Sequence, residues 1–241
     1  MRRLRHEGHA EVVAPDPDTA IGHPGGVPLS RSLAVLAVVV VVGLSVFGLY
    51  GAALAAGVVL TPADRALIDL ADALRAAWAV EAARWVTDLG SFAVLAPLVL
   101  VTGGLLLARG RSVEAALLLL SFVLVWLAVD AAKDVFGRPR PEEPLVFAPT
   151  TSFPSGHAAQ STTYVALAVL LARGLPGLAP RAALLAAGVA LAGAVGLSRI
   201  YLRVHYWSDV AAGWGLGFAI FAAGAVVALV VVRRGGRELG E

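Results

Sequence analysis

The sequence predicts an all-α protein: a bundle of six transmembrane helices with one amphipathic helix in the interface between spans one and two. Three observations predict it. Of 241 residues, 59% are apolar, and the mean hydropathy is +0.81, a balance that places the chain among integral membrane proteins. Apolar runs of near membrane length recur from Leu33 to Val232. Charge gathers between two of those runs, in Ser198-Arg199-Ile200-Tyr201-Leu202-Arg203-Val204-His205-Tyr206-Trp207-Ser208-Asp209, and charge set so close to bilayer-length sequence marks a functional site.

The chain divides into a tail over 1–31, a membrane domain over 32–233 and a short C-terminal tail over 234–241. The first tail carries Arg2, Arg3 and Arg5, then a Pro/Gly/Asp-rich stretch from Ala14 to Pro28 without apolar periodicity, the composition of a disordered segment. It does not read as a cleavable signal peptide, because the run that follows, Leu33 to Leu60, is uncharged and too long for a signal core. That run is the first span.

Thr61-Pro62-Ala63-Asp64 then has the pattern of a helix start, with Thr61 as cap, Pro62 in the first turn and Asp64 reaching back. Leu67, Leu70, Leu74 and Trp78 follow at helical spacing, with Asp69, Asp72, Arg75 and Glu81 on other faces. This predicts a single interfacial helix to about Asp88, with Trp78 and Trp85 as anchors. Further spans are expected near 91–108, 113–133, 157–172, 182–198 and 210–232. The third and fourth are short for a bilayer, which is workable only where their polar ends enter a protected site.

Basic residues set the expected topology. Arg2, Arg3, Arg5, Arg31, Arg109, Arg111, Arg173, Arg181, Arg233, Arg234 and Arg237 flank alternate ends of the spans, which places those flanks in the cytoplasm. Both termini then lie on the cytoplasmic side of the cell membrane, and 61–90, 134–156 and 199–209 lie on the outer face. Lys133, Arg138, Arg140, Arg199 and Arg203 depart from that trend, and an anionic ligand at the outer surface would supply the reason. The chain has no cysteine, which excludes disulfides and thiolate chemistry. No basic stretch is built to hold nucleic acid.

The outer segments carry chemistry. His205 and Asp209 are four apart, so on a helix they share one face, and the carboxylate can fix one ring nitrogen while the other attacks. The alternative is a His and an Asp snorkelling at the membrane edge. Lys133 is the only lysine among 19 basic residues; its compact ammonium suits a point contact to phosphate, or else pairs with Asp130 or Asp134. Pro154-Ser155-Gly156-His157 opens the fourth span, and a helix N-terminus is a seat for phosphate. There Gly156 admits close approach, Ser155 adds a hydroxyl, and His157 is a candidate general acid; a plain helix start with an incidental His is the alternative. Lys133, Arg140 and Arg199 for the oxygens, His157 and His205 for proton transfer and attack, and Asp209 for orientation are what a phosphoryl transfer without metal or other cofactor requires.

Lys133, six residues, Arg140-Pro141; Pro154-Ser155-Gly156-His157; Ser198-Arg199, five residues, His205, three residues, Asp209: this succession resembles the three-part signature of the type-2 phosphatidic acid phosphatase family, whose superfamily includes the vanadium haloperoxidases. The signature occupies 133–209, the span layout extends the likeness to about 33–232, and the N-terminal tail lies outside it. The resemblance implies that His205 attacks phosphorus to give a phosphohistidine with Asp209 holding its ring. It implies that His157 protonates the leaving oxygen and then helps activate water, and that Lys133, Arg140, Ser155, Gly156 and Arg199 bind the phosphate. Arg138 and Arg203 occupy variable positions, as contacts to a second phosphate or acidic headgroup or as solvated charges. The expected protein is a multi-pass phosphatase of the cell membrane acting at the outer leaflet on undecaprenyl pyrophosphate, phosphatidylglycerol phosphate or phosphatidic acid, in contact with membrane lipids. A lipid phosphotransferase with the same intermediate and a non-catalytic transporter or scaffold for anionic lipid are the competing readings. The sequence leaves the oligomeric state open.

Overall fold

The computed structural model describes residues 29–238, with side chains through 231. The expected disordered tail lies outside the described residues except for Leu29, Ser30 and Arg31, which open the first helix. All regular structure among the described residues is helical: α1 Leu29–Ala55, α2 Pro62–Ala73, α3 Ala77–Asp88, α4 Phe92–Ala108, α5 Ser112–Phe136, α6 Gly156–Ala172, α7 Leu178–Tyr201 and α8 Trp207–Glu238. The last helix runs on into the stretch expected as a C-terminal tail.

Each of the six expected spans has its helix. Five segments are long and apolar enough to cross a membrane: Leu29–Ala55, Ala77–Ala108, Ser112–Phe136, Leu178–Tyr201 and Trp207–Val231. The sixth, α6, has 17 residues and is short for a bilayer, about 26 Å at 1.5 Å per residue. It sits in the middle, packed against α4, α5, α7 and α8, with Ala158, Ala159, Ser161, Thr162 and Thr163 almost wholly covered. A helix enclosed by protein does not need bilayer length, which is why its polar N-terminal end is tolerated.

Small residues bring the helices together, as expected where lipid removes the hydrophobic drive between them. A Cβ on Gly43 of α1 would lie 2.4 Å from the Gly215 carbonyl oxygen of α8, and one on Gly217 would lie 2.5 Å from the Ala159 carbonyl oxygen of α6. Leu95, Val99, Phe122 and Leu167 fill the space between α4, α5 and α6.

The expected start of α2 is present as a capping box. Asp64 N–H donates to Thr61 Oγ1 at 3.1 Å, and Thr61 N–H donates to Asp64 Oδ2 at 2.9 Å. The single amphipathic helix expected over 61–88 is, however, two helices, α2 and α3, broken at Leu74-Arg75-Ala76. Tyr201 of α7 holds the break: its hydroxyl donates to the Leu74 carbonyl at 3.0 Å and accepts from Ala76 N–H at 3.2 Å. Trp78 and Trp85, expected as interface anchors, are exposed. α3 passes into α4 through Leu89, Gly90 and Ser91 alone.

Candidate active site

Three elements deliver the basic and acidic groups to one end of the bundle. α5 stops at Phe136 because Gly137 adopts a left-handed φ of 56°, a conformation glycine takes without strain. This leaves Lys133 in the last turn. The connection over 137–155 folds back over the bundle end, pinned by Phe153, which is 1% exposed and packs against Phe47 at 5.8 Å and Phe136 at 4.9 Å between ring centroids. Lys133 Nζ donates to the Thr151 carbonyl. Among the described residues it forms no ion pair with Asp130 or Asp134.

A cavity of about 470 Å³ opens there, lined by Lys133, Arg140, Gly156, His157, Arg199 and His205 together with Arg84, Thr87, Asp88 and residues 146–150. Six of the eight candidate residues therefore share one pocket. Arg199, 6% exposed, is steadied by Thr87, whose hydroxyl accepts from Nη1 at 2.9 Å, while its buried Nε has no partner among the described residues. Arg140 bonds the carbonyls of Thr150 at 2.7 Å and Val204 at 2.6 Å. The open amide end of α6 contributes Gly156 and His157.

The other two stand behind the wall. Ser155 was expected to offer its hydroxyl to phosphate; the structure instead buries it completely as the cap of α6, with Oγ accepting from Ala158 N–H at 3.4 Å. Asp209 is fully buried. Its Oδ2 accepts from Tyr206 N–H at 2.9 Å and from the Ser152 hydroxyl, and lies 3.5 Å from His205 Nδ1.

The tautomer of His205 follows from its neighbours. Arg140 Nη1 lies 3.1 Å from Nε2, and a guanidinium can only donate. Nε2 therefore accepts, and the ring proton sits on Nδ1, facing Asp209. Burial holds the imidazole pKa down to about 3; Asp209 opposes that shift, and Arg199 and Arg140 add to it. His205 is thus a neutral ring whose Nε2 lone pair accepts from Arg140, at the wall of a cavity that Lys133 and Arg199 also line.

Two expectations need correction. Arg138 is neither a headgroup contact nor a solvated charge: it is 3% exposed and bonded to Asp209 and Asp64. Arg203 is pinned by Asp72 at 2.6 Å and the Glu142 carbonyl at 3.2 Å. Sequence reasoning also missed Asp64 as a site residue, along with Thr87, Ser152 and Ser208. Of their buried partners, Arg138 does carry a signal in the sequence, as one of the cations on the wrong side of the charge trend.

A helical membrane bundle with a cationic cavity, a buried His–Asp pair and a helix N-terminus at the wall defines the class of integral-membrane phosphatases that take phosphate from lipids. Comparison with known proteins agrees. Residues 114–233 match the PAP2 superfamily, and the chain belongs to that superfamily. It is 34% identical over 163 residues to phosphatidylglycerophosphatase B of Bacillus subtilis (strain 168), covering 66% of this chain and 80% of that protein. The crystal structure of the transmembrane PAP2 type phosphatidylglycerolphosphate phosphatase from Bacillus subtilis superimposes with a TM-score of 0.68 at 31% identity, over 76% of this chain and 94% of that one. That of Aquifex aeolicus LpxE gives 0.51 at 28% identity, over 66% and 92%.

Proposed function

We propose that the protein hydrolyses a phosphomonoester or pyrophosphate carried on a membrane lipid, at the outer leaflet, through a phosphohistidine on His205, with no metal required. The observation that carries this reading is the hydrogen bond from Arg140 to His205 Nε2: it marks Nε2 as the nitrogen with the lone pair, at a pocket that Lys133 and Arg199 also line, and the lone pair is freed for attack when Arg140 turns that N–H to the phosphate.

In the first step Nε2 attacks phosphorus and the bond from phosphorus to the lipid oxygen breaks, with a proton from His157 going to that oxygen. Lys133, Arg140 and Arg199 neutralise the charge that spreads over the equatorial oxygens. Positive charge growing on the ring is met by Asp209 beside Nδ1. In the second step His157 takes a proton from water as its oxygen attacks phosphorus; the P–Nε2 bond breaks, inorganic phosphate leaves and Nε2 returns to its neutral state. Among lipid phosphates, phosphatidylglycerol phosphate is favoured by the relative from Bacillus subtilis; undecaprenyl pyrophosphate and phosphatidic acid fit the same cations.

The test is phosphate release by the purified protein in detergent, with chelator present, from each of the three lipids, with His205→Ala as control. Release that vanishes in the variant supports the reading, and the ranking names the substrate. Activity in His205→Ala overturns the mechanism, a strict need for added divalent metal overturns metal independence, and transfer to a lipid acceptor in place of release makes the protein a phosphotransferase.

A further inference from the structure

Behind the pocket lies an ionic cluster in which two members, Arg138 and Asp64, have no role in the three-part signature. Arg138 donates through Nη1 to Asp209 Oδ1 at 2.5 Å and to Ser208 Oγ at 2.7 Å. Through Nη2 it bonds the Val59 carbonyl, and Asp64 Oδ2 at 3.3 Å. Its guanidinium lies 4.2 Å from the centroid of the Tyr206 ring, in cation–π range. Asp64, fully buried, accepts Ser208 N–H at 2.8 Å and Ser208 Oγ at 2.9 Å. Neither residue lines the cavity. Withdrawing both charges from water is costly; the α6–α8 and α1–α8 contacts rest on small residues, and among the helices the cluster ties only α2 to α8.

What the cluster does is control Asp209. A carboxylate has two oxygens and can turn about its bond. Here Arg138 fixes Oδ1, so Oδ2 is left to Tyr206 N–H, Ser152 and the Nδ1 side of His205. A guanidinium acting alone would also draw the charge of Asp209 away from the imidazole. Asp64 supplies Arg138 with a carboxylate of its own. The result is a buried line from Asp64 through Arg138 and Asp209 to His205, joining the first turn of α2 to the first turn of α8.

We propose that Arg138 and Asp64 are positioning residues for the nucleophile, Arg138 aiming the Asp209 carboxylate at His205 and Asp64 preserving its negative charge. This rests on the reading of His205 as the nucleophile. Positioning predicts a split between turnover and binding, because Lys133, Arg140 and Arg199 seat the phosphate independently of Arg138.

The experiment uses the full chain in detergent, with a lipid phosphate as substrate and inorganic phosphate as competing product. Arg138→Met is expected to lower kcat about 100-fold, the scale of losing a residue that orients a functional ligand. KM and the phosphate inhibition constant should stay within about three-fold, the mark of a group that acts on the transition state alone. Arg138→Lys, which keeps one charged contact, should recover about ten-fold of that loss. Should Arg138→Met not fold, Asp64→Asn carries the test: nearly the same shape without the charge, it is expected to cut kcat about ten-fold with phosphate inhibition unchanged. A wild-type kcat in either variant overturns the proposal, as does phosphate inhibition lost in step with kcat. Failure of the nucleophile reading looks different: either the unaltered chain releases no phosphate, or His205→Ala still does.

Discussion

The backbone N–H of Ser155 donates to the carbonyl oxygen of Asp209 at 2.9 Å, so the amide end of α6 and the first turn of α8 are fixed to each other through the main chain. The proposed phosphate seat and the carboxylate behind His205 thereby keep one spacing. Gly213, one turn further along α8, permits this: a Cβ there would stand 2.5 Å from the Ser155 carbonyl oxygen and 3.2 Å from Ala158 Cβ.

Gly213→Ala must therefore push α8 away from α6. Overpacking of this kind costs about 1–3 kcal/mol, and misplacing reacting groups by roughly 1 Å costs about 100-fold in rate. Thermal melts in detergent should show a lower midpoint, and phosphate release should fall by about that factor. Gly104→Ala, at a position with no atom within 4 Å of the added carbon, should leave activity unchanged. Equal effects at the two sites would show that the α6–α8 spacing does not matter.

Asp209→Asn tests the tautomer. An amide can present N–H to Nδ1, which favours a ring whose proton sits on Nε2, where it meets the donor Arg140 and has no lone pair for phosphorus. The loss in kcat should approach about 10⁴-fold, the size seen when an orienting Asp is replaced by Asn in a Ser-His-Asp triad. KM should change little. A fall of less than about ten-fold would mean that Asp209 does not set the proton.

The six spans and the pocket-forming members of the signature were legible because each depends on local pattern: apolar run length, a helix start, fixed spacings. Lys133, Arg140, Gly156, His157, Arg199 and His205 line one cavity, as their placement on one membrane face and the resemblance implied. The break between α2 and α3 was not legible, since the hydroxyl that holds it belongs to Tyr201, 127 residues from Leu74. The same holds for Arg138. Its burial is decided by Asp209, 71 residues on, and Asp64, 74 residues back, and a lone arginine in the loop after α5 carries no sign of either partner. Ser155 was recognised as part of the helix start, but whether its oxygen turns to ligand or to its own helix depends on how tightly α8 closes behind it.

The depressed pKa of His205 makes stability depend on pH. Folded, the ring stays neutral down to about 3; unfolded, it takes a proton near pH 6.5. Between those values the unfolded chain binds the extra proton, so stability falls as pH falls. Melting midpoints measured from pH 7 to pH 4.5 should drop, and the drop should be smaller in His205→Gln. Identical slopes would mean that the ring is not neutral in the fold. The same shift implies that loss of activity between pH 7 and pH 5 does not come from protonation of His205.

Orientation can be read with two cysteines, because the chain has none of its own. Arg111 precedes α5 and Glu142 follows it. The 25 residues of that helix span about 38 Å at 1.5 Å each, more than the roughly 30 Å of a bilayer's hydrocarbon core, so the two positions emerge on opposite sides. With arginines at 109, 111, 173 and 181, the Arg111 side is expected in the cytoplasm. A membrane-impermeant maleimide applied to intact cells should thus label Glu142→Cys and spare Arg111→Cys until the cells are opened. The reverse pattern would place the active site on the inner face and confine its substrates to the inner leaflet. Labelling of both from outside would mean that α5 does not cross the membrane, and the six-span arrangement would fall with it.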